Sequence, residues 1–439
     1  MQFTVQKKDQ HTRARTAIIE TAHGRIETPA FIPVGTQASV KTLTSEELST
    51  LGVQIFFVNT YHMYLRPGIR VIGKIGGLHR FMAWDKPLIT DSGGFQVFSL
   101  ARDAFRPDGR TRTDERLTVR IDSDGVDFQS HWDGSTHRLT PEISIGIQHT
   151  LGADIILALD DCTPYPVTHE RATTSMERTH VWAQRSLQRH HELKMKNENL
   201  PARLDSPRGE AGSAKRAGKA GLKRNVPALF GVIQGSVFKD LRRKSARKIS
   251  SMDFDGIAIG GVSVGESKTD MNRVLSWVVP ELPDNKPRHL LGVGEIDDIF
   301  TLVGQGIDTF DCVQPTRLAR MGHVYIKSSK LKSSREAGSR SAGLNSVRRN
   351  PSYTLDITKS RFALAAEPID RTCGCATCRT YSRAYIHHLF RVRELLAYRL
   401  TTIHNVHFVL ELMGSIRRAI GNGTFLALKN QWLYNKTND

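Results

Sequence analysis

Three features of the sequence predict an α/β fold, a (β/α)8 TIM barrel with insertions. There are eight short apolar runs without alternation, amphipathic helical stretches between many of them, and a polar or glycine residue where nearly every run stops. A run that is apolar throughout marks a strand buried on both faces, as in a parallel sheet. Parallel neighbours need a crossover, which a helix supplies. In a closed barrel the carboxyl ends of the strands converge on one mouth, so residues as far apart as 59 and 311 can line a single pocket. A doubly wound sheet would instead spread them along a crevice.

The first run is FIPV (31–34). TSEELSTLG (44–52) opens with a capping box, Thr44 with Glu47 three residues on, and reads as a helix. QIFFVN (54–59) ends on Asn59, and PLITD (87–91) ends on Asp91. Ser92, Gly93 and Gly94 follow Asp91 in a stretch that permits a tight turn and close backbone approach to a ligand, with Phe95 as a stacking surface and Gln96 as a partner for a sugar or base edge. The same Asp-Ser-Gly-Gly also serves as an ordinary turn. TPEISIGIQHTLG (140–152) is helical in pattern and leads into DIILALD (154–160), which ends on Asp160. ALFGVIQ (228–234) ends on Gln234 and precedes the helical VFKDLRRKSARKIS (237–250). GIAIGG (256–261) ends on Gly261. The overlapping GGVSVGESK has the GxxxxG spacing of a phosphate loop but Glu266 where that motif needs lysine, which excludes a P-loop. HLLGVG (289–294) carries Leu291 and Gly292, the helical EIDDIFTLVGQG (295–306) follows, and TFDCV (309–313) contains Asp311.

Lys and Arg outnumber Asp and Glu by 62 to 44, a net charge of +18. Such an excess predicts a polyanionic partner, nucleic acid before membrane. Three polar segments look inserted: 101–124, 196–224 with eight basic against three acidic residues, and 327–350 with seven against one. Gly, Ser and Ala between the charges predict flexible loops, either solvated linkers or polyanion-binding arms. The start MQFTVQKKDQ lacks the apolar core of an export signal, and no apolar run is long enough to cross a bilayer. A cytoplasmic protein without a membrane partner is the expectation.

Of the five cysteines, three lie in CGCATC. Cys373, Cys375 and Cys378 form a metal knuckle, and His404, with His387, His388 and His407 as competitors, completes a closed Cys3His shell typical of a structural Zn2+. The predicted organisation is therefore a barrel domain over 1–370, a zinc-binding subdomain over 371–410 and a helical segment over 411–439 that packs on the barrel.

The polar residues share a chemical character. Asp160, Gln234 and the backbone at Gly261 offer the acceptors and donors that read a purine edge. Asp91 and Asp311 remain, and two carboxylates at one mouth suggest glycosidic-bond chemistry, one attacking the anomeric carbon while the other moves a proton. A carboxylate within an apolar run, like Asp311, is costly unless exposed, paired or used.

DSGGFQVFSL, SHWDGSTHRLTPE, LALDDCTPYP, GVIQGS, GGVSVGES, LLGVGEIDD, GIDTFDCVQPTR and the CxCxxC…His pattern together resemble a bacterial-type tRNA-guanine transglycosylase, in order from about residue 25 to 415. The resemblance implies exchange of guanine at the wobble position of tRNAs with G-U-N anticodons for a 7-deazaguanine. It implies Asp311 as nucleophile, a covalent ribosyl–aspartate intermediate, and Asp91 as general acid and base. By the same resemblance, Asp160, Gln234, Gly261, Ser92 and Gly292 recognise the base, Asn59 and Gln96 hold the nucleophile and ribose, and Arg317 and Arg320 bind the anticodon arm. Phe95 and Leu291 stand at the positions that sandwich the base, Leu291 where methionine is usual, and Val262 where leucine is usual. Cys162 and Val264 match the bacterial pairing that favours 7-aminomethyl-7-deazaguanine. A homodimer with one structural Zn2+ per subunit is implied as well. Two rivals are a non-catalytic, zinc-stabilised tRNA-binding barrel subunit and a barrel glycosidase acting on free nucleosides.

Overall fold

The computed structural model describes residues 1–103, 119–198, 226–327 and 353–434. Most of each predicted insertion lies outside these ranges. The rims of the first are ordered: the helix Gly94–Asp103 continues through residue 101, and Val119–Ile121 pairs antiparallel with Val126–Gln129. Val119 and Ile121 pack partly against the core, which gives this rim the apolar anchor that the charged residues obscure.

All eight apolar runs are strands: β1 (Ala30–Pro33), β2 (Phe56–Val58), β3 (Leu88–Thr90), β4 (Ile155–Leu157), β5 (Ala228–Ile233), β6 (Gly256–Ile259), β7 (Arg288–Leu290) and β8 (Thr309–Cys312). They are parallel in the order β1-β8-β7-β6-β5-β4-β3-β2, and a parallel bridge from Val34 to Phe57 closes the ring. Alternate residues of each strand face opposite sides. Ile32, Phe57, Ile89, Ile155, Phe230 and Ala258 fill the barrel interior. Phe31, Phe56, Leu88, Ile156, Leu229 and Ile257 meet the surrounding helices. This two-sided burial is why the runs show no polar alternation.

The helices start where the sequence marks them. Thr44 accepts from Glu47 N–H while Glu47 reaches back to Thr44 N–H, a complete capping box before Ser45–Thr50. Thr140 caps Pro141–Leu151 in the same way from its side chain, and Gly152 ends that helix at a φ of 74°.

An antiparallel sheet of Gln2–Lys8, Arg15–Thr21 and Gly24–Thr28 sends Ile19 and Ile26 into the interior cluster and so contributes to the floor opposite the mouth. Arg15 anchors this sheet with a buried bidentate ion pair to Asp308, Nε to Oδ1 at 2.8 Å and Nη2 to Oδ2 at 2.7 Å. Beyond the barrel, Thr354–Asp356 pairs antiparallel with His323–Tyr325, and one helix, Leu395–Gly421, runs without a break through residue 410. No helix of the described residues is long and apolar enough to cross a membrane.

Candidate active site

Two aspartates stand at the mouth. Asp91 follows β3 and is buried. Asn59, at the end of β2, donates from Nδ2 to Asp91 Oδ2 at 2.7 Å, and the Thr60 N–H donates to Oδ1 at 2.7 Å. Gln96 adds a further side-chain hydrogen bond. Both Asn59 and Gln96, expected beside the nucleophile and ribose, are thus placed on Asp91. Burial raises the Asp91 pKa above its ordinary value, these three hydrogen bonds pull against that rise, and the charge of Asp311 adds to it.

Asp311 is the third residue of β8, with its side chain 12% exposed. The Gly292 N–H donates to its Oδ1 at 3.1 Å. Gly292 takes a φ of 78°, a conformation that glycine adopts without strain. Oδ2 has no partner among the described residues, so this carboxylate is held at one oxygen and free at the other.

A planar cradle lies beside the pair. Asp160, at the exit of β4, accepts from Gln234 Nε2 at 2.7 Å on Oδ2 and from Ser92 Oγ at 3.4 Å on Oδ1. Burial lifts its pKa to about 6 despite the Gln234 hydrogen bond, and Asp161 and Asp91 push the same way. Gln234 Oε1 is buried without a hydrogen-bond partner among the described residues. Gly261 takes a φ of 60°, which favours glycine, and a Cβ there would sit 2.2 Å from Gln234 Oε1 and displace that side chain. Its carbonyl is taken by Arg242 Nη2 at 2.7 Å, while its N–H has no partner among the described residues. The cradle therefore presents a carboxylate, an amide oxygen and a backbone N–H, the complement of a purine's hydrogen-bonding edge. Phe95 is 47% exposed at the head of the helix Gly94–Asp103, and Leu291 packs partly on the interior cluster at the exit of β7.

Arg242 and Glu266 were not legible as site residues. Arg242 is fully buried and donates to the carbonyls of Gly260 and Gly261 at 2.7 Å each and also to Ser236 O, fixing the loop after β6. It lies in the basic tract LRRK of an amphipathic helix, where it reads as a surface residue. Glu266 accepts from the N–H groups of Ser263 and Val264, so the residue that excludes a P-loop folds the cradle's rim.

Helix Gln314–Arg320 follows β8 directly. Arg317 is exposed and Arg320 half-buried, with Nη1 donating to Thr316 O at 2.8 Å. Neither meets a carboxylate among the described residues, and burial together with Arg317 lowers the Arg320 pKa.

Behind this helix, Cys373, Cys375, Cys378 and His404 converge as a group that could hold a metal ion. His404 Nδ1 lies 3.6, 3.7 and 3.3 Å from the three sulfurs. A tetrahedral zinc with ordinary bond lengths sets sulfur and nitrogen about 3.6 Å apart, so the donors fit. His404 Nε2 lies 2.7 Å from Tyr325 O, which leaves Nδ1 as the ligand atom. The competitor His387 instead bonds Ile357 O. Two other groups of potential ligands differ. His23 and His79 are stacked face to face at 3.6 Å beside Asp154, so their in-plane lone pairs do not meet at one ion. Glu295, Asp297 and Asp298 are already bridged by Lys268.

The chain is also similar along its length to known proteins. A family model described as Queuine tRNA-ribosyltransferase matches residues 9–438. The chain is 43% identical over 435 residues to the queuine tRNA-ribosyltransferase of Roseiflexus sp. (strain RS-1), covering 98% of each chain. It is 43% identical over 431 residues to that of Desulforudis audaxviator (strain MP104C), covering 98% of this chain and 97% of the relative. With the Moorella thermoacetica protein of the same name it shares 44% over 421 residues, 96% of this chain and 94% of the other.

Proposed function

Because the chain belongs to the queuine tRNA-ribosyltransferase family, we propose that this tRNA-guanine transglycosylase replaces guanine at the wobble position of G-U-N anticodon tRNAs with 7-aminomethyl-7-deazaguanine. The reaction runs as a double displacement on aspartate. Asp311 Oδ2 attacks the ribose C1′, the bond from C1′ to N9 breaks, and the departing guanine takes the proton of Asp91. The incoming deazaguanine then gives its N9 proton to Asp91 as N9 displaces Asp311 from C1′. Two inversions retain the configuration at the sugar. The target nucleotide leaves its stack to reach the cradle, where Asp160, Gln234, Ser92 and Gly261 bind the base edge and Phe95 and Leu291 its faces.

The observation that carries this reading is the asymmetry of the two aspartates. Asp91 is held toward its acid form by burial and by the charge of Asp311, while Asp311 keeps one oxygen unpartnered. Arg317 and Arg320, free of acids among the described residues, suit phosphates of the anticodon arm, and a Zn2+ on Cys373, Cys375, Cys378 and His404 would be structural. A homodimer is part of the same reading.

The test is incorporation of labelled guanine into a G-U-N transcript, wild type beside Asp311→Ala. The variant is expected to lose roughly 10⁴-fold in exchange, as removal of a nucleophile does, while tRNA binding survives. Equal loss of binding and exchange would mark Asp311 as structural. A wild type that binds tRNA in a salt-sensitive way without exchanging any base would favour the non-catalytic barrel subunit.

A further inference from the structure

We propose that His289 is a positioning residue of the reaction: its imidazole holds one oxygen of Asp311 so that the other attacks, and it eases release of the carboxylate in the second displacement. This rests on the nucleophilic reading of Asp311 given above.

His289 is the middle residue of β7 and is completely buried. Its register partner on β8 is Thr309, two residues before Asp311, so Thr309 and Asp311 point to the same side as the imidazole. Nδ1 lies 2.9 Å from Thr309 Oγ1. Nε2 lies 3.3 Å from Asp311 Oδ1 and makes no hydrogen bond in this state with the described residues. The ring stacks on Phe57, with centroids 6.2 Å apart and planes 19° from parallel. Ile32, Ile155, Phe230 and Ala258 of the interior are apolar. Asp311 Oδ1, at 3.3 Å, is the carboxylate oxygen that this buried nitrogen faces. The charged groups around it are Asp311 on β8 and, coupled to that residue, Asp91 after β3, while Phe57 on β2 and Ala258 on β6 contribute none.

The carboxylate sets the polarity of the ring: Asp311 Oδ1 only accepts, so the tautomer with the hydrogen on Nε2 suits it, and the Thr309 hydroxyl then donates to Nδ1. The Gly292 N–H converges on the same oxygen, so with Nε2–H turned to it Oδ1 has two donors, while none of the described residues addresses Oδ2, and Oδ2 is left to attack. In the first displacement the carboxylate charge is consumed as Oδ2 bonds C1′. In the second, the bond from C1′ to Oδ2 breaks and its electron pair returns to the carboxylate as N9 of the incoming base bonds C1′. A donor waiting at Oδ1 tightens as that charge reappears, so the second step gains more from His289 than the first.

The experiment uses the full chain with His289→Phe, which keeps the stacked ring and removes the donor, and His289→Gln, whose amide Nε2 can take the place of imidazole Nε2. Formation and decay of the covalent RNA–protein adduct are followed on denaturing gels beside wild type and Asp311→Ala, together with KM for tRNA and Tm. The expected result for His289→Phe is an adduct that decays about 10- to 100-fold more slowly, the scale of one hydrogen bond to a charged group, with KM unchanged. His289→Gln is expected to restore most of the decay rate. A His289→Phe enzyme that turns over like wild type overturns the proposal. So does a His289→Gln enzyme as impaired as His289→Phe at equal Tm and tRNA affinity. A wild type that forms no adduct at all would instead refute the nucleophilic reading of Asp311, and the proposal would fall with it.

Discussion

Asp160 is where one buried charge ties affinity to pH. Its carboxyl titrates at about 6 because burial disfavours the charged form. The ionised form is the one that accepts from a purine's ring N–H and amino group. Affinity for the free base should therefore be level near neutral pH and fall about tenfold per unit below that pKa, read by isothermal titration with guanine. The stability effect has the opposite sign. Folding raises this pKa, so the group favours the folded state most at low pH and loses that contribution as pH climbs through about 6. Asp160→Asn is accordingly expected to raise Tm at neutral pH while removing base affinity. Gly261→Ala should also remove base affinity, because its Cβ would collide with Gln234 Oε1 at 2.2 Å, and tRNA binding should persist in a gel-shift assay. Asp160 and Gln234 are legible in the sequence because a polar residue at the end of an apolar run needs a reason. His289 is not, since a lone histidine inside a strand reads as ordinary packing until its neighbour across the ladder is known.

The elements were legible where local chemistry decides them. Continuous apolarity located all eight strands, and caps and periodicity located the helices at Ser45–Thr50, Pro141–Leu151, Lys239–Ser250 and Ile296–Gly304. What the sequence hides is how elements grip one another. Asn405, next to the metal-facing His404, accepts from Tyr325 N–H at 2.9 Å and donates to the carbonyls of Pro315 and His323 at 3.0 Å each. No periodicity distinguishes such an asparagine from any other polar residue of a long helix. It ties Leu395–Gly421 to the helix bearing Arg317 and Arg320. Asn405→Ala should cost about 3 kcal/mol, since it removes the partner of three backbone groups, two of them in buried hydrogen bonds, and denaturant unfolding would measure it. Chelation of a Zn2+ held by the Cys3His group should weaken tRNA binding along with stability, because Nε2 of His404 meets the same strand, at Tyr325 O.

At the scale of the whole molecule, the excess of 18 positive charges predicts tRNA affinity that falls steeply with salt, and a filter-binding series should give a log–log slope that becomes shallower in an Arg317→Ala, Arg320→Ala double variant. The closed barrel was readable from the number of its strands, but its floor was not: MQFTVQKK has no feature that announces a sheet packed beneath a barrel. That floor has a consequence for biogenesis. Arg15 and Asp308 are 293 positions apart, and Asp308 stands three residues before Asp311 and immediately before β8, whose other edge pairs with β1. A ribosome delivers one half of this clasp at the outset and the other only after most of the chain has emerged. Contacts of such long range are slow to form. Nascent chains should therefore wait with a gap between β7 and β1, and a chain stalled before residue 308 holds Asp91 and Asp160 but not Asp311. The proposed catalytic pair is completed at a single late event, the insertion of the last strand beside the first.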